Sequence, residues 1–117
     1  MAFRFRNFKV YQDAKSLHRE IFLLANQFSR SYWYLADQIK RSSLSIVLNI
    51  AEGSSKQSDK DFNRYVAIAL GSVDETIASL EVAFDLKLIS KEQFQLFQTE
   101  YESVCRQLGG LSKFLKS

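Results

Sequence analysis

The spacing of apolar residues predicts an all-α protein, an antiparallel up-down-up-down four-helix bundle formed as one domain from residues 1–117. Three observations carry this expectation. Four stretches step through apolar residues at intervals of three and four, the pattern of a helix with one buried seam. The stretches are separated by only a few residues, which makes sequential helices antiparallel neighbours. The chain also has no proline and only four glycines, so little interrupts helical structure. At 117 residues, 46% of them hydrophobic, a single core is within reach, since a domain of this size buries about two thirds of its unfolded surface.

The first helix is expected over 9–30, with Val10, Ala14, Leu17, Ile21, Leu24 and Phe28 as its seam. The second is expected over 34–53, with Gly53 as its terminator. The third, over 59–86, opens with Ser58 and Asp61 in capping-box spacing and carries Val66, Leu70, Val73, Ile77, Leu80 and Phe84. The fourth, over 91–115, opens with Ser90 and Gln93 in the same spacing and aligns Phe94, Phe97, Tyr101, Val104, Leu108, Leu111 and Leu115. Gly109-Gly110 interrupts this last seam at about 1 kcal/mol per glycine relative to alanine. The heptad phase resumes at Leu111, which favours a continuing helix, with a hinge as the alternative.

The second helix has an unusual circumference. At about 100° per residue, Gln38, Arg41, Ser42, Ser45, Asn49 and Glu52 gather into one polar stripe. Ile39, Leu44, Ile46, Val47, Leu48, Ile50 and Ala51 cover most of the remainder. An apolar arc this wide exceeds what one bundle core buries, so the helix is expected to serve both the core and a neighbouring chain. The third helix repeats the pattern: opposite its seam, Arg64, Ile68, Gly71, Glu75 and Val82 form a second stripe. Gln38, Asn49, Glu52, Arg64, Gly71 and Glu75 are therefore candidates for a polar network or interface. The alternative is that Arg64 and Glu75 are ordinary solvated charges.

The same residues carry a family resemblance. Gln38-Ile39-Lys40-Arg41, Ser45-Ile46 and Asn49-Ile50-Ala51-Glu52-Gly53 resemble the signature of the four helix bundle proteins encoded in intervening sequences of bacterial 23S ribosomal RNA genes. Phe8 to Ala14 resembles the family's opening. Phe62-Asn63-Arg64-Tyr65, Ile68 to Ser72 and Glu75 resemble its third-helix block. Where the family often has a proline, this chain has Val47, so a straighter second helix is expected. The resemblance implies a homo-oligomeric ring, a pentamer, associated with ribosomal RNA intervening sequences.

Catalytic chemistry has little to work with. His18 is the only histidine and Cys105 the only cysteine, and a packing role is expected for each. No phosphate loop, nucleophile elbow, zinc spacing or Glu-x-x-His pair is present. The expectation is a non-enzymatic protein without cofactor, metal or small-molecule substrate. Residues 1–6 lack the apolar run of a signal peptide and no stretch reaches the length of a membrane span, so a cytoplasmic protein without a membrane partner is expected.

Charge is unevenly placed. Residues 1–57 carry nine Lys or Arg against four Asp or Glu, while residues 58–89 carry three against six. The net charge of +3 is small for a monomeric nucleic-acid binder, but a ring would repeat one basic face. Arg4, Arg6, Lys9, Lys40 and Arg41 are the candidate RNA contacts. The alternating Phe3-Arg4-Phe5-Arg6-Asn7-Phe8-Lys9 either stacks bases or docks its phenylalanines on the protein, and docking is favoured. The functional expectation is a self-assembling bundle that binds RNA. The alternative is a protein-interaction module or scaffold, acting as accessory subunit of a nucleic-acid-processing enzyme.

Overall fold

The computed structural model describes residues 2–117. Four helices, α1 (Lys9–Ala25), α2 (Trp33–Ser54), α3 (Asp59–Asp85) and α4 (Lys91–Lys116), make up an elongated body of 44 × 22 × 20 Å, and no strand occurs among the described residues. Short 3-10 turns over Arg4–Asn7 and Arg30–Tyr32 precede α1 and α2. Each helix packs on its sequential neighbour, and α1 closes the ring of contacts against α4. Across α2 and α3, Gln38 meets Glu75, Ser45 meets Ser72 and Glu52 meets Tyr65. Rising numbers facing falling ones make that pair antiparallel. The connections elsewhere are too short to return a chain along the bundle, so the order is up-down-up-down.

Seam residues of all four helices converge on one core. Ile21, Ile39, Ile46, Ile50, Val66, Leu80, Val104 and Leu108 are fully buried, and Tyr101 lies among them. Two helix starts are capped by serine: Ser58 accepts from the Asp61 amide at 3.1 Å, and Ser90 and Gln93 form a reciprocal box at 3.0 and 2.8 Å. At the end of α3, Lys87 takes a left-handed conformation (φ 64°). There the Leu88 amide reaches back to the Ala83 carbonyl at 2.9 Å, closing a Schellman turn. α4 runs unbroken through Gly109 and Gly110.

Three sequence expectations need correction. The first helix ends at Ala25, not near residue 30. Gln27 and Phe28 turn to 3-10 bonds with the carbonyls of Leu24 and Ala25 (3.0 and 3.1 Å), and Phe28 is buried by that turn. A heptad position next to a chain reversal can be filled from the turn as well as from a further helical turn. In α3, Phe84 is exposed, while Ala69, Thr76 and Ala83 are buried. The buried face is rotated toward small residues because α2 lies close there. Gly53, third, does not terminate α2, which continues through Ser54 with no positive φ at any glycine. A Cβ there would sit 2.8 Å from the Tyr65 Cβ and 3.0 Å from Phe62 Cδ1. Its role is close approach of α2 to α3.

Gly53→Ala should therefore destabilise the protein by about 1–2 kcal/mol, overpacking outweighing the better helix propensity. Gly109→Ala and Gly110→Ala, where a Cβ meets nothing within 4 Å, should each gain up to about 1 kcal/mol. Denaturant melts of the three variants check the opposite signs.

His18 Nδ1 lies 2.7 Å from Ser43 Oγ between α1 and α2, and burial lowers the imidazole pKa from its ordinary 6.5. Unfolded chains then protonate first as pH falls. The stability His18 contributes is complete above about pH 6.5 and is lost as pH drops through the lower folded value. Between pH 7 and 5 the wild type should lose stability in urea melts more steeply than His18→Gln. Identical slopes would remove His18 as the cause.

Candidate assembly and nucleic-acid surfaces

Small side chains let α2 and α3 approach, and their hydroxyls must then find partners inside the contact. Ser42 and Thr76 are buried there, while the equally buried Ser43 faces His18 of α1. Thr76 Oγ1 lies 2.8 Å from Ser42 Oγ and 2.8 Å from the Ser72 carbonyl, so its one proton serves either acceptor. One turn on, Ser45 and Ser72 hydroxyls pair at 2.9 Å, and Asn49 Nδ2 donates to the Ser45 carbonyl and hydroxyl at 2.8 and 3.0 Å. Gln38 extends the ladder outward by donating to Glu75 at 2.6 Å. The result is a hydroxyl seam running along the helix pair, with Gly53 at its end.

The candidate polar residues are divided by this geometry rather than collected. Gln38 and Glu75 are joined, and Asn49 is tied into the seam. Glu52 receives only a long contact from Tyr65 (3.5 Å) and a 4.0 Å approach from Lys56. Arg64 faces Asp61 at 3.8 Å and lies over the Tyr65 ring. Within one chain, Glu52, Arg64 and Glu75 all stand in solvent. Gly71 is also exposed, and no side chain of its own chain lies where its Cβ would be.

Outside the seam the same two helices present an apolar face. Leu48 is 53% exposed and Ile68 47% exposed, with Leu44 beside them. Leu48 lies one turn from Ser45 and Ile68 one turn from Ser72, which places both at the edge of the joined helices. Arg41, Glu52, Arg64 and Glu75 rim this face.

The amino-terminal arm docks on the bundle. Arg4 Nε donates to the Ser54 carbonyl at 2.9 Å, its guanidinium lies over Phe62, Phe8 stacks on Phe62, and Phe5 meets Tyr11 edge-on. Lys9 bridges Asp13 at 2.6 Å, which with Gln107 holds the Asp13 carboxyl below its ordinary pKa against the opposing effect of burial. Arg6 has no acidic partner among the described residues. Lys40 contacts Asn26 and Phe22, and Arg41 pairs with Asp37 at 3.0 Å. Lys40 stands 14 residues before Ser54, about 21 Å along the axis, so the five candidate RNA contacts fall into two separate groups, Arg4, Arg6 and Lys9 at the arm end and Lys40 and Arg41 partway along α2. Sequence reasoning missed exposed Lys60, Lys113 and Lys116. Antiparallel packing brings the start of α3 and the end of α4 to the arm's end, which linear charge counts do not reveal.

Between α3 and α4 lies a groove of about 390 Å³, floored by Val73, Ile77, Ala78, Tyr101 and Cys105 and flanked by Asp74, Glu81 and Glu102. Burial, then Asp74 and Glu102, raise the Cys105 thiol pKa, which keeps it protonated and poorly nucleophilic. Among the described residues, no group of three or more His, Cys, Asp or Glu is placed to hold a metal ion, and no helix is long and apolar enough to cross a membrane.

Comparison with known proteins gives the arrangement its place. No functionally curated protein matches the sequence. A solved structure does, at TM-score 0.66 and 28% identity, covering 91% of this chain and 94% of the other. It is a protein of unknown function from the S23 ribosomal protein family of Bacteroides thetaiotaomicron VPI-5482. The family model described as 23S rRNA-intervening sequence protein matches residues 6–110. With the resembling blocks lying on α1, α2 and α3 and the match extending into α4, the chain belongs to the 23S rRNA-intervening sequence protein family.

Proposed function

We propose that this protein is a non-enzymatic, self-assembling, cytoplasmic bundle that forms a homo-oligomeric ring, a pentamer, and binds RNA through a basic face of the assembly. The single observation that carries the assembly is the outward face of α2 and α3. It exposes Leu44, Leu48 and Ile68 between charged rims while the opposite side of both helices is already used in the core. A contiguous apolar patch with a polar rim is what an association surface offers. Gly71, free of contact within its own chain, leaves room there for a second backbone. The RNA reading is supported by the family membership and by the basic arm end, where Arg6, Lys60, Lys113 and Lys116 are exposed. A ring repeats that end on one surface, and phosphate affinity grows with each cation engaged.

A second reading, a protein-interaction or scaffold module beside a nucleic-acid-processing enzyme, is favoured by the acidic-flanked groove between α3 and α4. Its charge suits a basic protein segment and repels RNA.

Light scattering on purified protein should return a mass several times the 13.5 kDa chain. Leu48→Glu with Ile68→Glu, substitutions at exposed positions, should disperse the assembly while keeping the helical circular-dichroism spectrum. A wild-type monomer at micromolar concentration would sink the assembly reading.

RNA affinity should fall with salt, each phosphate contributing a slope of about −0.7 for single strands in log affinity against log salt. Arg6→Glu with Lys113→Glu should flatten that slope without changing the oligomer mass. An unchanged slope would move the contact elsewhere. Absence of RNA binding at low salt would favour the protein-interaction module.

A further inference from the structure

Away from the arm end, the corner where α1 hands over to α2 exposes a concentration of aromatic surface that neither the core nor the α2–α3 face uses. Trp33 is 58% exposed and Tyr34 67% exposed in the first turn of α2, and Phe22 is 46% exposed near the end of α1. Cations are set against these rings. The Arg30 guanidinium lies 5.0 Å from the centre of the Trp33 ring, and the Lys40 ammonium 5.2 Å from that of Phe22. Beside Trp33 and Lys40 opens a cleft of about 380 Å³, also lined by Ala25, Asn26, Ala36 and Asp37. Asp37, the one carboxylate in the lining, pairs with Arg41 at 3.0 Å.

We infer that this corner is a stacking site for single-stranded RNA, in which unpaired bases lie against Trp33 and Phe22 while Arg30 and Lys40 meet the flanking phosphates. The inference rests on the RNA reading above and gives it a second site, at the opposite end of the bundle from the arm. Three features fit that occupant. Exposed aromatic faces accept any base, because every base has a π-face. Arg30 is exposed, and Lys40, half-buried and also donating to Asn26 Oδ1, sets a second positive charge beside the aromatic rings. Arg30 and Lys40 bear on the rings, while Asp37, the only carboxylate lining the cleft, is engaged by Arg41, so the local charge complements a polyanion. A paired duplex keeps its bases stacked internally and cannot use such a site, so the corner selects single strands.

The chain has one tryptophan, which makes its fluorescence a reporter of this corner alone. The assembled protein is titrated with a short, fluorescein-labelled, mixed-sequence single-stranded RNA, following RNA anisotropy and tryptophan emission together, with the matching duplex as comparison. Saturable quenching of Trp33 with the anisotropy midpoint is expected, with no quenching by the duplex. Trp33→Ala should weaken binding about tenfold, the size of one lost base–aromatic stack, and Trp33→Phe should restore most of it. Binding by anisotropy with unchanged emission overturns the corner site and leaves the RNA reading standing. No anisotropy change overturns both. Tryptophan shielded from acrylamide in the assembly and accessible in the dispersed Leu48→Glu, Ile68→Glu protein would assign the corner to chain contacts and overturn the proposal.

Discussion

The close approach of α2 and α3 is the constraint from which the rest of the molecule follows. Packing two helices this tightly requires small side chains along the contact, and here they are Ser42, Ser45, Gly53, Ser72 and Thr76. Buried hydroxyls carry a desolvation cost unless paired, about 1–3 kcal/mol for an unsatisfied group. The pairing of Ser42 with Thr76 and Ser45 with Ser72 removes that cost while fixing the register of the two helices. Gly53 sets the limit of approach at the end of the seam, where Phe62 and Tyr65 leave no room for a Cβ. Phe62 in turn supports Phe8 and Arg4, so the position of the amino-terminal arm depends on the same contact.

A helix pair joined through small residues turns its larger side chains elsewhere. On the inner side these are Ile39, Ile46, Ile50, Val66, Val73 and Leu80, all buried. On the outer side they are Leu44, Leu48 and Ile68, exposed in the single chain. The proposed assembly is the natural consequence of that division: two helices with apolar residues on both sides of a polar seam have one side filled by α1 and α4 and the other open. The charged residues that the sequence grouped with the interface, Glu52, Arg64 and Glu75, rim the open side. Charge at the ends follows from topology. Antiparallel order gathers the basic arm and the basic last turn of α4 at one end, and places Trp33 with Arg30 at the other.

What could be read from the sequence was what large apolar residues report. Heptad steps through Val10 to Leu24, Val66 to Leu80 and Phe97 to Leu115 located the helices because burying large side chains dominates helix placement. The capping serines at 58 and 90 marked helix starts because their hydroxyls bond amides three residues on. The α2 half of the seam was legible, since Gln38, Ser42, Ser45 and Asn49 fall on the polar stripe of that helix, while its α3 half was hidden: Thr76 looks like a solvent-facing residue until the Ser42 hydroxyl lies across from it. Gly53 looked like a terminator since glycine's freedom and its lack of a Cβ leave the same mark in a sequence. Neither the joining of Lys60, Lys113 and Lys116 to the arm end nor the gathering of Phe22 with Trp33 could be read before the order of helices around the core was fixed.

The central claim is that the outward face of α2 and α3 is covered by another copy of the chain, and the chemical accessibility of position 48 tests it most directly. In a Cys105→Ser background, Leu48→Cys provides a single thiol at the centre of that face. Its alkylation should be slow in the assembled protein and accelerate as dilution releases single chains. Reaction at the rate of a free thiol at every concentration, in protein that remains oligomeric, would show the face open to solvent and contradict the account.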